Sequence, residues 1–180
     1  MDASDAPTLM AAQPFADQSA SGPARVPPLL VLDTNVVLDW LHFGDPSCAA
    51  LGGAIQGGQA RWIASAAMQQ ELEHVLLRGL PGQRAVDPTS VLRAWDRWAT
   101  DADEAYIDAK TGSRPTCRAA RHSLLRCQDA DDQKFIDLAL RVNASALLSR
   151  DRAVLRLARR ATEYGLRILT AADWRPEPPA

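Results

Sequence analysis

The stretch PPLLVLDTNVVLDWL, from Pro27 to Leu41, decides the fold. Its run from Leu29 to Leu32 is wholly apolar, which is typical of a strand that a parallel sheet buries on both faces. The run ends at an acid, Asp33, which is followed by Thr34 and Asn35. Taken alone, Asp33 is equally well explained as the cap of a helix beginning at Thr34 and as part of a functional site.

The bulk composition is that of one domain without a secretion signal or membrane segment. With 180 residues, 47% of them hydrophobic, the chain can bury one well-packed core. A formal net charge of −2 gives no overall field that favours nucleic acid. The three cysteines form no C-x-x-C pair, which suits a reduced cytoplasmic protein better than a disulfide scaffold or a zinc module. No apolar run approaches the roughly 18 residues that span a bilayer, and the N-terminus lacks the features of a signal peptide.

Short apolar runs alternate with helical patterns after residue 26. Four of these runs predict strands, namely LLVL at 29–32, RWIAS at 61–65, ALLS at 146–149 and RILT at 167–170. The alternation predicts an α/β fold with three layers, α/β/α, around a central parallel sheet. We expect this domain to cover residues 27–175, between a disordered N-terminal tail at 1–26 and a short C-terminal tail at 176–180.

Capping residues mark the starts of the predicted helices. Asp45-Pro46 and Asp87-Pro88 each place an acid before a proline. The first of these helices is expected to fade in the region of Gly52-Gly53 and Gly57-Gly58. Ser65 is expected to cap the helix that follows the second strand. Its apolar face is predicted to consist of Ala67, Leu72, Val75 and Leu76. Continuous helices are also predicted over 129–142 and 152–165, whereas 100–127 shows no clear pattern.

Acidic residues recur where ligands gather in such folds, at the carboxyl ends of the strands. Asp33 follows the first strand, and Asp151 follows the third. Asp129, Asp131 and Asp132 begin the helix that leads into the third strand. Glu71 lies two turns into the helix after the second strand. Each also has a structural explanation, as a helix cap, as a partner of the helix dipole or, for Glu71, as a solvated residue on a polar helix face. The recurrence of acids at the strand ends, and not any single acid, favours a functional site.

Carboxylates that are brought together repel one another unless a cation compensates them. Mg²⁺ and Mn²⁺ prefer oxygen ligands and leave room for a substrate phosphate, whereas zinc would favour cysteine or histidine partners, which this pattern lacks. Two such ions about 3.5–4 Å apart would support in-line displacement at phosphorus. The pattern therefore predicts a divalent-metal site that acts on a phosphodiester.

Four segments carry a resemblance to a known family: VLDTNV, SAAMQQELEHVL, DADDQKFIDLAL and ALLSRD, followed by the closing GLRILTAADW. In this order, over roughly Leu29 to Trp174, they resemble the PIN-domain ribonucleases, most closely the branch of VapC-like toxin components of toxin–antitoxin pairs. The resemblance implies a metal-dependent endoribonuclease site that uses Mg²⁺ or Mn²⁺, an RNA substrate and a small antitoxin protein as partner. The resemblance is also compatible with a homo-oligomer.

The resemblance also assigns roles to individual residues. Those implied to be catalytic and to bind the metal are Asp33, Glu71, Asp132 and Asp151. Those implied to orient the ligands or water are Asn35, Ser149 and, ranked below Asp132, Asp129. Gln133 departs from the pattern, because this branch usually carries another acid after Asp132.

Basic residues are concentrated in the second half of the chain. Between Lys110 and Arg160 there are 12 Lys/Arg against 5 Asp/Glu. The candidates for contacts with an RNA backbone are Arg150, Arg152 and Arg126. Solvated arginines on helix exteriors explain the same pattern equally well.

Two other functions fit the same sequence. One is a PIN module that binds RNA or protein without cleaving, although a lost site would be expected to lose some of these acids. The other is a DNA-directed nuclease that recognises a structure such as a flap or branch.

Overall fold

The computed structural model describes residues 26–79, 87–102 and 125–176. Five strands form one parallel sheet: β1 Leu29–Leu32, β2 Arg61–Ala64, β3 Ala99–Asp101, β4 Ala146–Leu148 and β5 Arg167–Leu169. Their order across the sheet is β3-β2-β1-β4-β5. Helices flank this sheet, so the predicted three-layer α/β/α fold is confirmed. The predictions for residues 1–25, 103–124 and 177–180 lie outside the described residues.

Strand β1 is central, with β2 on one side and β4 on the other. Val31 is in register with Ile63 of β2 and with Leu147 of β4. All three side chains are fully buried, which accounts for the wholly apolar run that predicted this strand. The four predicted strands are present, and β3 is a fifth that the sequence did not predict. It pairs with β2 at the edge of the sheet.

The helices connect the strands in chain order. The described ones are α1 Thr34–Leu38, α2 Ala49–Gln56, α3 Ala66–Arg78, α4 Pro88–Trp98, α5 Gln133–Arg141, α6 Arg152–Leu155 and α7 Ala158–Ala161. Helix α1 continues as a π-helical turn, Asp39–Phe43, and 3₁₀ turns cover Pro46–Cys48 and Thr162–Tyr164. Helix α5 packs on β1 and β4, whereas α6 and α7 pack on β5. Within the described ranges, none of these helices is long and apolar enough to cross a membrane.

Helix α3 differs from its prediction in two respects. Ser65 stands at the N-cap position, but its side chain makes no capping hydrogen bond. Ala67 is exposed, and Met68 takes the predicted place of Ala67 in the buried face, beside Leu72 and Leu76. The face is therefore shifted by one residue at the first turn of the helix.

Three other helices also depart from their predicted bounds. Helix α2 runs through Gly52-Gly53 and ends at Gln56, with Gly57 as its C-cap, so only the second of the two predicted glycine pairs ends it. A Cβ atom at position 52 would lie 2.3 Å from Nε1 of Trp40, so only glycine lets that ring pack against the helix. Helix α5 begins at Gln133, because residues 129–132 form a turn before it. The predicted helix over 152–165 is divided into α6, α7 and a 3₁₀ turn, and ends at Gly165 with a positive φ, 74°.

Candidate active site

Asp33 leaves β1 at the carboxyl edge of the sheet and is buried, with 3% of its surface exposed. Its backbone N–H donates to the carbonyl of Leu148 at 2.9 Å, which extends the β1–β4 pairing to the acid. Its carboxylate accepts from the backbone N–H of Asn35, at 3.4 Å, and Asp33 is the N-cap of α1. The helix-cap interpretation is therefore confirmed, but it accounts for only one weak bond of this carboxylate.

The other carboxylate oxygen of Asp33 is held by two side chains. Ser149 Oγ donates to Oδ2 at 2.5 Å, and Asn35 Nδ2 donates to the same atom at 2.7 Å. Ser149 Oγ also accepts from the backbone N–H of Asp151, at 2.9 Å, and Asn35 Oδ1 accepts from that of Arg150, at 3.0 Å. These bonds form a closed ring between the end of β1 and the loop after β4. They fix Oδ2 and leave Oδ1, with its single long bond, better placed to bind a cation.

Asp151 is exposed and caps α6, where its Oδ1 accepts from the backbone N–H of Ala153. The cap interpretation of this residue is confirmed as well. Asp132 is the N-cap residue of α5, but it makes no side-chain capping bond. Both acids therefore stand at the N-terminus of a helix, but only the side chain of Asp151 caps its helix.

Glu71 lies on α3 with about a third of its side chain exposed, 32%. Its Oε2 atom is buried and lies 2.6 Å from Nζ of Lys134, an ion pair that does not have the alignment of a hydrogen bond. The interpretation of Glu71 as a solvated helix residue is therefore wrong. The sequence analysis did not single out Lys134, although it is one of only two lysines in a chain with 18 arginines.

The pKa of Asp132 shows how near the acids lie to one another. Burial is the largest cause, followed by the negative charges of Asp33, Asp151, Asp129 and Glu71 in that order, and together they raise this pKa from 3.8 to about 6. Burial also raises the pKa of Asp33, against the hydrogen bonds from Ser149 and Asn35 and with a smaller contribution from the charge of Glu71. The fold thus brings the acids within electrostatic reach of one another at one edge of the sheet. We call Asp33, Glu71, Asp132 and Asp151 the acidic site.

Asp129 and Gln133 organise the turn before α5. Asp129 is exposed, and its Oδ1 accepts from the backbone N–H of Asp131 at 2.9 Å, which is a local turn contact. Gln133 Oε1 accepts from the N–H of Cys127 at 2.8 Å, and its Nε2 donates to the carbonyl of Leu125 at 3.1 Å and to Asp137 Oδ1 at 2.8 Å. An acid at this position could not make the two donated bonds. The departure from the family pattern therefore has a structural role.

The predicted arginines differ in their surroundings. Arg150 has 58% of its side chain exposed, and its Nε lies 3.1 Å from Oδ2 of the buried Asp39. Asp39 was not predictable as a buried partner, because nothing in its local pattern distinguishes it from a solvated acid on a helix. Arg126 and Arg152 are both exposed.

The donor set fits a hard divalent cation in kind, because it consists of carboxylate oxygens whose mutual repulsion a cation would relieve. As the side chains stand, no group of three or more His, Cys, Asp or Glu residues within the described ranges surrounds one point closely enough to hold a metal. Glu71 is turned to Lys134, and Asp151 is turned to its own helix. Binding would require these two side chains to change partners.

Comparisons with known proteins found one family model and one solved structure that are similar to this chain. The model of the PIN domain family matches residues 29–153, a range that contains all four acids of the acidic site. The crystal structure of VapBC2 from Rickettsia felis bound to a DNA fragment from their promoter is similar with a TM-score of 0.46 and 12% identity, over 78% of this chain and 96% of that chain. A search of curated proteins found no match. Because the family match covers well over half of the 180 residues, the chain belongs to the PIN-domain family.

Proposed function

We propose that this protein is a Mg²⁺- or Mn²⁺-dependent endoribonuclease and the toxin component of a toxin–antitoxin pair. The observation that carries the proposal is the electrostatic coupling of four carboxylates from separate elements at the carboxyl edge of the sheet. Membership of the PIN-domain family supports nuclease chemistry at that place. The likeness of the four segments quoted above to the VapC-like branch supports the toxin role and the choice of RNA.

Asp33, Glu71, Asp132 and Asp151 would hold the metal. When bound, the cation supplies charge compensation at the phosphate and increases the acidity of water. Asn35 and Ser149 keep the carboxylate of Asp33 in one orientation, because both donate to its Oδ2 atom. Water attacks the phosphorus and the 3′ oxygen leaves with a proton, so that the products carry a 5′ phosphate and a 3′ hydroxyl.

Contacts with the RNA backbone are proposed for the arginines near the acidic site. Arg126 and Arg152 are exposed, and Arg150 keeps more than half of its side chain exposed while Nε pairs with Asp39. Replacement of Arg126 or Arg152 by alanine should lower the affinity for every RNA sequence alike and reduce the salt slope by about one. A small antitoxin protein that covers the acidic site would compete with RNA for the same surface.

The decisive experiment is cleavage of a labelled single-stranded RNA by the purified protein, with Mn²⁺, Mg²⁺ or EDTA. Asp33→Asn and Asp132→Asn, shown to be folded by circular dichroism, should lose at least about 10²-fold in rate, as expected when a group that stabilises the transition state is removed. Asp131→Asn is the matched control, because this exposed acid lies next to Asp132 and outside the acidic site.

Undiminished cleavage by folded Asp33→Asn would contradict the proposal. RNA binding without turnover at any metal concentration would favour a binding module, and preferential cutting of flapped or branched DNA would favour a DNA-directed nuclease. For the toxin role, induced expression of the wild type should arrest growth of a bacterial host, whereas Asp33→Asn should not.

A further inference from the structure

The side chain of Lys134 is anchored inside the acidic site at three points. Its Nζ lies 2.6 Å from Glu71 Oε2, donates to the backbone carbonyl of Asp131 at 2.5 Å, and lies 5.0 Å from the ring centroid of Phe135. Only 28% of the side chain is exposed. A surface lysine usually keeps its ammonium group in water and its stem mobile, so three simultaneous anchors indicate a fixed position.

This ammonium group compensates a carboxylate that water reaches poorly. Glu71 Oε2 is buried, and a buried carboxylate oxygen without a cation nearby is strongly unfavourable. Lys134 supplies that positive charge in the metal-free protein. Glu71 is also one of the four acids proposed to hold the metal, so the lysine and the divalent cation would share the same carboxylate.

We propose that Lys134 is a built-in counter-ion that competes with the divalent cation for Glu71 and thereby sets the metal affinity of the acidic site. The proposal rests on the proposed function, since it assumes that the site binds a metal. Binding then exchanges one partner of Glu71 for another: the ammonium group moves away as the cation arrives.

The test is the Mn²⁺ affinity of the purified full chain, measured by calorimetry. Lys134→Met keeps most of the aliphatic stem and removes the charge, and it should bind Mn²⁺ about tenfold more tightly than the wild type. Lys134→Arg keeps the charge and should stay within about twofold of the wild type. Arg159→Met removes one exposed positive charge from α7, and serves as the control for a general change in net charge.

A double-mutant cycle separates competition from a general field effect. In the Glu71→Gln background, Lys134→Met should change the Mn²⁺ affinity by less than about twofold, because the shared ligand is already neutral. A full tenfold effect in that background would overturn the competition. Unchanged or weaker Mn²⁺ binding by Lys134→Met in the wild-type background would overturn the proposal itself.

Thermal unfolding gives a readout that does not depend on cleavage. Without metal, Lys134→Met should have a lower Tm than the wild type, and saturating Mn²⁺ should raise its Tm by more than it raises that of the wild type. An equal rise in both proteins would contradict the proposal. If Lys134→Met does not fold, Lys134→Gln is measured in its place with the same expectations.

The outcomes distinguish this proposal from the proposed function. A wild type that binds no Mn²⁺ at millimolar concentration would overturn both. A wild type that binds Mn²⁺ and cleaves RNA, beside a Lys134→Met variant of equal affinity, would overturn the role of Lys134 alone.

Discussion

The guanidinium of Arg150 pairs with the buried carboxylate of Asp39, with 3.1 Å between Nε and Oδ2. The backbone N–H of the same arginine donates to Asn35 Oδ1. Arg150 is therefore held at both its backbone and its side chain, and it links the loop after β4 to the π-helical turn after α1. That loop carries Ser149 and Asp151, so the ion pair contributes to the position of the acidic site.

Arg150→Met should destabilise the fold, because it leaves Asp39 buried without a partner. The expected loss in the free energy of unfolding is about 1–3 kcal/mol at neutral pH, near the lower end because the guanidinium is largely exposed. Urea denaturation measures it, with Arg152→Met, at the exposed first residue of α6, as the control. Equal stability of Arg150→Met and the wild type at neutral pH would show that the pair is not structural.

The loss caused by Arg150→Met should depend on pH in a defined direction. Burial raises the pKa of Asp39 above 3.8, and Arg150 opposes this shift. Since the folded state then binds the proton more tightly than the unfolded state, stability falls as pH rises through the folded-state pKa. Removal of Arg150 raises that pKa further, so the difference from the wild type should be larger at about pH 7 than at about pH 4. A difference that grows toward acid pH would refute this assignment.

Ser149→Ala and Asn35→Ala should each weaken Mn²⁺ binding by about 10–100-fold without unfolding the protein, because each removes a donor that orients the carboxylate of Asp33. Calorimetry measures the affinities, and circular dichroism verifies the fold. Wild-type affinity in both alanine variants would show that the ring of hydrogen bonds does not orient the ligand.

Gly52→Ala and Gly53→Ala should have opposite effects on stability. The new Cβ at position 52 would meet the Trp40 ring and should cost about 1–3 kcal/mol. At position 53 nothing lies within 4 Å, and alanine should stabilise α2 by about 0.5–1 kcal/mol through its higher helix propensity. Differential scanning calorimetry compares the two variants; destabilisation by both would show that the helix itself, and not the contact with Trp40, requires glycine.

Gln133→Glu restores the acid that is usual in the VapC-like branch, and should destabilise this protein by about 1–2 kcal/mol. Glutamate can still accept from Cys127, but it cannot donate to Leu125 and it repels Asp137. Hydrogen exchange at the Cys127 amide and thermal unfolding measure the loss. Adding Asp137→Asn to Gln133→Glu should restore part of the lost stability. If the double variant is no more stable than Gln133→Glu, repulsion by Asp137 is excluded as a cause.

The sequence predicted those elements whose signal lies within a few consecutive residues. The apolar run of β1 and the acid that follows it were predictable, because a doubly buried strand has to be continuous in apolar residues. Strand β3 was not predictable, because Ala99–Asp101 is short and has no apolar run. Its strand conformation is recognised only from its pairing with β2. For the same reason the four acids of the acidic site were predicted, whereas the pairing of Glu71 with Lys134 and that of Arg150 with Asp39 were not, since both pairs form only in three dimensions.

The pairing of β1 with β4 has a consequence for the synthesis of the chain. Asp33 and Ser149 are separated by 116 positions, and their hydrogen bond can form only after β4 has left the ribosome and docked beside β1. A nascent or truncated chain that ends before β4 contains Asp33, Glu71 and Asp132 but lacks the loop that orients the first of them. The proposed activity would therefore require synthesis of the chain through β4 and the loop that follows it.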